Sequence, residues 1–142
     1  EEIDLCWRAN NIGSEVFCVG DSKVYHLGGT SLPESPLKVF YNYRNSTYML
    51  LKNVPAFQLP FILCCRLLLD GVAGVRFLLK GELRNCLSIL KAHVYMYYNF
   101  FKMLGKRSNK KPKNTYFKLN SIVFQYFILK NSKFFNLRFS KS

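Results

Sequence analysis

The charges between positions 61 and 91 constrain the fold more than any other feature of this chain. If these residues are helical, at about 100° per residue, six of the seven charged side chains fall within an arc of roughly 120°. The six are Arg66, Asp70, Arg76, Lys80, Arg84 and Lys91, and Glu82 lies outside the arc. The rest of the circumference is apolar or small, which is too broad an apolar surface for a helix lying singly on a small domain in water.

Two arrangements of these helices satisfy the pattern. The longest uncharged run, residues 53–65, contains two prolines and is shorter than the roughly 18 residues of a membrane span. We therefore favour amphipathic helices that lie against a membrane surface over spanning ones. The alternative is a water-soluble helical pair that buries its apolar faces internally, with breaks at Gly71, Gly74 and Gly81.

Positive charge is concentrated at the end of the chain. Of the net charge of +13, residues 101–142 carry eleven Lys or Arg and no acid. Such a block predicts an anionic partner, either phospholipid headgroups or nucleic acid. The five cysteines form no CxxC pair and no zinc-site spacing with histidine, which indicates reduced thiols in a cytoplasmic setting.

Local signals divide the first part of the chain. Residues 4–11 suit a helix of about three turns with Gly13 as its left-handed C-terminal cap. The runs "EVFCVG" and "KVYHLGG" read as two short strands or a hairpin. Ser35-Pro36 is a helix start, with the helix ending near Asn53 before Pro55. A last helix is predicted from about Ser121.

The acids at the start of the chain have two readings. Three of its eight acids, Glu1, Glu2 and Asp4, occupy the first four positions. Carboxylates are favourable in the first turn of a helix, where they face unsatisfied N–H groups. The other reading is a catalytic site.

The order of motifs resembles the C-terminal half of the catalytic domain of family 2 glycosyltransferases. "EEIDLCWRANNIG" fits the family's E-[DE]-x-D-L-x-x-R helix start, "VFCVGDSKVYHLGGTS" its hairpin and V-x-H-x-x-G element, and "SPLKVFYNYRNSTYMLLKN" its aromatic "RN" helix. The later "RLLLDGVAGVRFLLKGE", "LKAH" and "SIVFQYFILKNSKFFNL" are similar to the C-terminal extension of bacterial members that act on cell-surface glycans.

The resemblance implies an α/β fold for residues 1–54, as the acceptor-side part of a GT-A domain. It is followed by a mainly helical extension: amphipathic, membrane-apposed helices over 55–105 and a basic tail with a short helix over 106–142. The implied activity of the parent protein is inverting transfer of a sugar from a nucleotide-sugar donor to a lipid-linked or cell-surface polysaccharide acceptor. The implied location is peripheral, on the cytoplasmic face of the inner membrane.

The resemblance also implies the site residues. Glu2 stands where the family has its catalytic base. Many relatives carry Asp there, so the longer Glu leaves room for Asp4 to share or take the role, and the sequence does not decide between the two. Glu1 orients or binds acceptor, and Trp7 is either a sugar platform or a packing residue. His26 completes the site of a divalent metal, Mg or Mn, or contacts diphosphate; its alternative is a core histidine.

A loop and a basic side chain complete this implied site. Gly29, Thr30 and Ser31 lie in the loop beside diphosphate and acceptor. Arg44 meets phosphate or pairs with a core acid.

The donor-binding half of such an enzyme is not in this sequence. It has no Asp-x-Asp and no nucleotide-binding βαβ unit, so we expect the chain to be a C-terminal piece and the parent protein, rather than this piece, to be active. The rival hypothesis is a non-enzymatic cationic module that binds anionic membrane or nucleic acid. The N-terminal acids favour the enzyme over this module, since a binding module has no need of them, and nucleic acid is the less favoured partner.

Overall fold

A computed structural model describes residues 2–17, 19–23, 25, 35–107, 122, 124–131, 133 and 136. The chain divides into two compact units, Glu1–Pro112 and Lys113–Ser142. In the first unit, the described residues form five α-helices: α1 (Glu2–Asn11), α2 (Pro36–Asn53), α3 (Leu59–Leu79), α4 (Leu83–Tyr98) and α5 (Phe100–Leu104). In the second unit, the described residues form one π-helical turn, Phe124–Ile128.

The α/β fold class predicted for the first part of the chain is wrong. The described residues contain no strand, and the chain between α1 and α2 is irregular where it is described, with a turn at Gly20–Asp21. Phe17 and Tyr25, on the two predicted strands, are 75% and 96% exposed. An isolated pair of strands needs a further strand or a helix to bury one face, and nothing in the described part of the chain covers these side chains.

The two helices with clear capping signals are confirmed. After α1, Gly13 has φ +94°, and the amide of Ser14 donates to the carbonyl of Ala9 at 2.9 Å, as in a Schellman motif. At the start of α2, the Ser35 hydroxyl accepts from the Lys38 amide at 3.3 Å. Both caps use only neighbouring residues, which is why a local pattern predicts them.

The apolar region forms an antiparallel hairpin of α3 and α4. The chain turns at Gly81, whose φ of +75° favours glycine. The breaks predicted at Gly71 and Gly74 are wrong, because both lie inside α3. Gly74 is buried against α4, where an added Cβ would lie 3.7 Å from the Cys86 sulfur.

The core of the first unit lies around α2. This helix contacts α1, α3, α4 and α5. Its Thr47 and Leu51 are fully buried, as are Val54 just beyond it and Met96 of α4. The Arg107 guanidinium donates to the carbonyls of Leu51 and Val54 and so satisfies acceptors left free at the end of α2.

Core packing on α2 predicts a contrast between two leucines. Leu51→Ala should lower the free energy of unfolding by about 2–5 kcal/mol, because it leaves a cavity at a fully buried position. Leu90→Ala on α4 is the control, since Leu90 is 55% exposed, and should change it by less than about 1 kcal/mol. Urea denaturation followed by circular dichroism measures both. Equal losses would contradict the assignment of the core.

Candidate functional site

A polar cleft of about 490 Å³ lies where the first turn of α1 meets the outer face of α2. It holds two of the predicted site residues, Asp4 and Arg44. Its remaining lining residues are Ile3, Asn42, Asn45, Ser46, Tyr48, Met49 and Lys52. The cleft thus brings together the acidic helix start and the aromatic "RN" helix, two motifs that are far apart in the sequence.

Asp4 is fixed by partners on both helices. Its Oδ2 lies 2.7 Å from the Lys52 ammonium and 3.2 Å from Arg8 Nε, and its Oδ1 accepts from Asn53 Nδ2 at 2.8 Å. Lys52 lies in the last turn of α2, where a positive charge is favourable. The carboxylate therefore joins α1 to the C-terminal end of α2.

These partners decide the ionisation of Asp4. Burial by itself raises the pKa of this carboxyl, but the hydrogen bonds from Lys52 and Asn53 and the charges of Lys52 and Arg8 outweigh it. The pKa of Asp4 consequently lies below its ordinary value. Asp4 stays ionised at neutral pH and is a weak proton acceptor.

Arg44 is held by aromatic rings and an amide. Its guanidinium lies 4.7 Å from the ring centre of Tyr41 and 5.2 Å from that of Phe40. Its Nε and Nη2 both donate to Asn45 Oδ1, at 3.1 and 2.9 Å. In the described part of the chain no carboxylate pairs with Arg44, so its charge is available to an anion in the cleft.

The other predicted site residues are placed differently. Glu2 is exposed on the first turn of α1. Trp7 is 3% exposed, which fits the packing alternative and leaves little of the indole for a sugar. Five predictions, on Glu1, His26, Gly29, Thr30 and Ser31, lie outside the described residues.

The predicted metal also stays a prediction. Within the described ranges, no group of three or more His, Cys, Asp or Glu side chains is arranged to hold a metal ion.

A buried ionic cluster between α3 and α4 was not predicted. Asp70 is 2% exposed, and its two oxygens lie 2.8 Å from Arg66 Nε and 3.0 Å from His93 Nε2. Arg66 also lies over the ring of Tyr43 at 5.4 Å. The pKa of Tyr43 is raised, mainly because the side chain is partly buried and secondly because the negative charge of Asp70 opposes its ionisation. The i,i+4 spacing of Arg66 and Asp70 was a local signal for half of this cluster.

No protein-family profile, no curated protein and no solved structure matches this chain.

Replacement of Asp4 should change how stability depends on pH. Because its pKa is depressed in the folded state, the carboxylate stabilises the fold above the pKa of the unfolded chain, and this contribution disappears as the pH falls through the lower folded value. We expect Asp4→Asn to lower the free energy of unfolding at pH 7 by about 1–3 kcal/mol and to flatten its decline below about pH 4. Urea titrations from pH 7 to about pH 3 measure it, with Glu15→Gln, an exposed acid, as control. If the free energy of unfolding falls as steeply at acid pH in Asp4→Asn as in the wild type, the assigned pairing is contradicted.

Proposed function

We propose that this chain is the acceptor-side part of an inverting family 2 glycosyltransferase. The observation that carries the proposal is the cleft in which Asp4, in the first turn of α1, and Arg44 of α2 lie together. A sugar transfer needs a carboxylate at the acceptor hydroxyl and positive charge near the departing diphosphate. The proposal concerns the reaction of the parent protein and requires no sheet in this segment, because α1 and α2 carry these motifs.

The two acids would then have different roles. A general base must be able to take up a proton, and Asp4 is committed to Lys52, Asn53 and Arg8. Glu2 is exposed two residues earlier on the same helix and occupies the family's base position, so we propose it as the base; the acid that lines the cleft itself is Asp4. In our proposal Glu2 takes the proton from the acceptor hydroxyl as its oxygen attacks the anomeric carbon, while Asp4 fixes α1 in place.

The proposed substrates follow from the same chemistry. The donor would be a nucleotide sugar, the acceptor a lipid-linked or surface glycan, and the leaving group a nucleoside diphosphate. A divalent metal, Mg or Mn, would neutralise that diphosphate, with His26 as its proposed ligand or as a contact to the phosphates. Arg44 would supply further positive charge from the cleft.

Glutamine substitution separates the two acids in the parent enzyme. Glu2→Gln should lower kcat by about 10²–10⁴-fold with little change in donor affinity, because a general base acts in the transition state. Glu15→Gln, which removes an exposed acid outside the cleft, should leave kcat unchanged. Release of nucleoside diphosphate measures the rate. Full activity of Glu2→Gln, with loss only in Asp4→Asn, would transfer the role to Asp4.

A second property, peripheral membrane binding, is favoured by the exposed apolar surface of α3, α4 and α5. Although α3 and α4 pack together, they do not bury all of their apolar side chains on each other. Leu68 and Leu79 of α3, Val94 and Tyr98 of α4 and Phe101 of α5 are between 64% and 91% exposed. Among the described residues, no helix is long and apolar enough to cross a bilayer. We propose that this surface rests on the anionic cytoplasmic leaflet of the inner membrane, assisted by the basic residues that follow it.

Vesicle sedimentation tests this proposal with two pairs of substitutions. Wild-type protein should sediment with phosphatidylserine-containing vesicles, less so at high salt, and Leu68→Gln with Val94→Gln should reduce the binding that survives high salt. Leu5→Gln with Phe17→Gln is the control, since both side chains are exposed outside α3–α5. No sedimentation at low salt, together with tight binding to single-stranded nucleic acid, would favour the rival cationic module instead.

A further inference from the structure

A second cleft, distinct from the one between α1 and α2, is lined by cations from three elements. It measures about 540 Å³ and lies where the start of α2 meets the turn between α3 and α4. Lys38 reaches it from α2, Lys80 from the end of α3, and Arg84 from the start of α4. The volume is within the range of small-ligand sites.

The positive charge of this cleft is not neutralised by the protein. Within the described residues, the side chains of Lys38, Lys80 and Arg84 make no ion pair and no hydrogen bond. The one carboxylate among the described lining residues is Glu82, whose Oε2 already accepts from Asn85 Nδ2 at 2.6 Å. The cleft therefore keeps an excess of positive charge.

Two of these cations stand where a helix does not favour them. Lys38 and Arg84 lie in the first turns of α2 and α4, where the macrodipole opposes positive charge, and neither first turn contains an acid. The macrodipole therefore opposes both charges, and Glu82, the N-cap residue of α4, is the one carboxylate among the described lining residues that offsets it. A bound anion would balance the remaining positive charge and would also interact favourably with both helix N-termini.

We propose that this cleft binds a phosphate or diphosphate group. A guanidinium matches two phosphate oxygens at once, and the two ammonium groups add point charges around the same anion. Exposed leucines adjoin each cation in the sequence: Leu37, Leu79 and Leu83 are 50%, 85% and 57% exposed. The phosphate therefore comes either from a free soluble ligand or from a lipid headgroup whose chain would contact these exposed leucines. The proposal does not depend on the sugar-transfer reaction.

Titration with inorganic pyrophosphate tests the site on the full chain. Isothermal calorimetry should show binding to the wild type, and Lys80→Gln with Arg84→Gln should weaken it about tenfold or more. Arg76→Gln with Lys102→Gln is the charge-matched control, because it removes two exposed cations that do not line the cleft, and it should retain most of the affinity. Absence of binding to the wild type, or equal weakening by both pairs, would overturn the proposal.

A measurement on the wild type alone tests the site without substitutions, which could weaken binding by misfolding the chain. In ¹⁵N-resolved NMR spectra, pyrophosphate should shift the amides of Lys38 and Arg84 more than that of Lys102. Shifts spread evenly over all basic residues would indicate non-specific charge binding and would overturn the site.

Vesicles distinguish the two sources of phosphate. Phosphatidylcholine vesicles containing about one tenth phosphatidic acid present a phosphomonoester on a lipid. If the headgroup enters the cleft, pyrophosphate should compete with vesicle binding and Lys80→Gln with Arg84→Gln should weaken it. If the wild type binds pyrophosphate but these substitutions leave vesicle binding unchanged, the cleft binds an anion and its ligand is soluble.

Discussion

The structure of the first unit depends on the burial of α2. Each of the other four α-helices described in that unit contacts it, and its Thr47 and Leu51 are inaccessible to solvent. The Thr47 hydroxyl is satisfied within the helix, since it donates to the carbonyl of Arg44 at 2.8 Å. Other polar residues of α2 line the two clefts: Lys38 lines the cationic cleft, and Arg44 and Lys52 line the cleft beside α1. The candidate acceptor cleft and the cationic cleft are thus both built on the same helix.

Two carboxylates each connect a pair of helices. Asp4 joins α1 to α2, and Asp70 joins α3 to α4 through His93. Burying a charge is costly unless it is well paired, and removing one partner of a buried ion pair costs about 3–5 kcal/mol. Two of the eight acids of the chain are therefore used to connect helices.

Sequence reasoning succeeded where the signal was local. Gly13 and Ser35 predicted the end of α1 and the start of α2, because a cap is completed within a few residues. The described residues contain no strand where two were predicted, because β-propensity requires a neighbouring strand, which a local pattern cannot supply.

Features of the site that join distant residues could not be found in the same way. Asp4 and Arg44 were both chosen from the family resemblance, and they do line one cleft. The Asp70–His93 contact and the cationic cleft join residues from different helices, and no local spacing predicts either.

Arg107 connects two parts of the first unit that are far apart in the sequence. Its guanidinium bonds to two carbonyls at the end of α2, more than fifty residues earlier, and so ties the segment after α5 to the helix at the centre of the core. Opening of α5 therefore exposes acceptors of α2, and fraying of one end is coupled to fraying of the other. In hydrogen exchange, the last turn of α2 and the segment around Arg107 would behave as a single cooperative unit, although all of α3, α4 and α5 separates them in the chain.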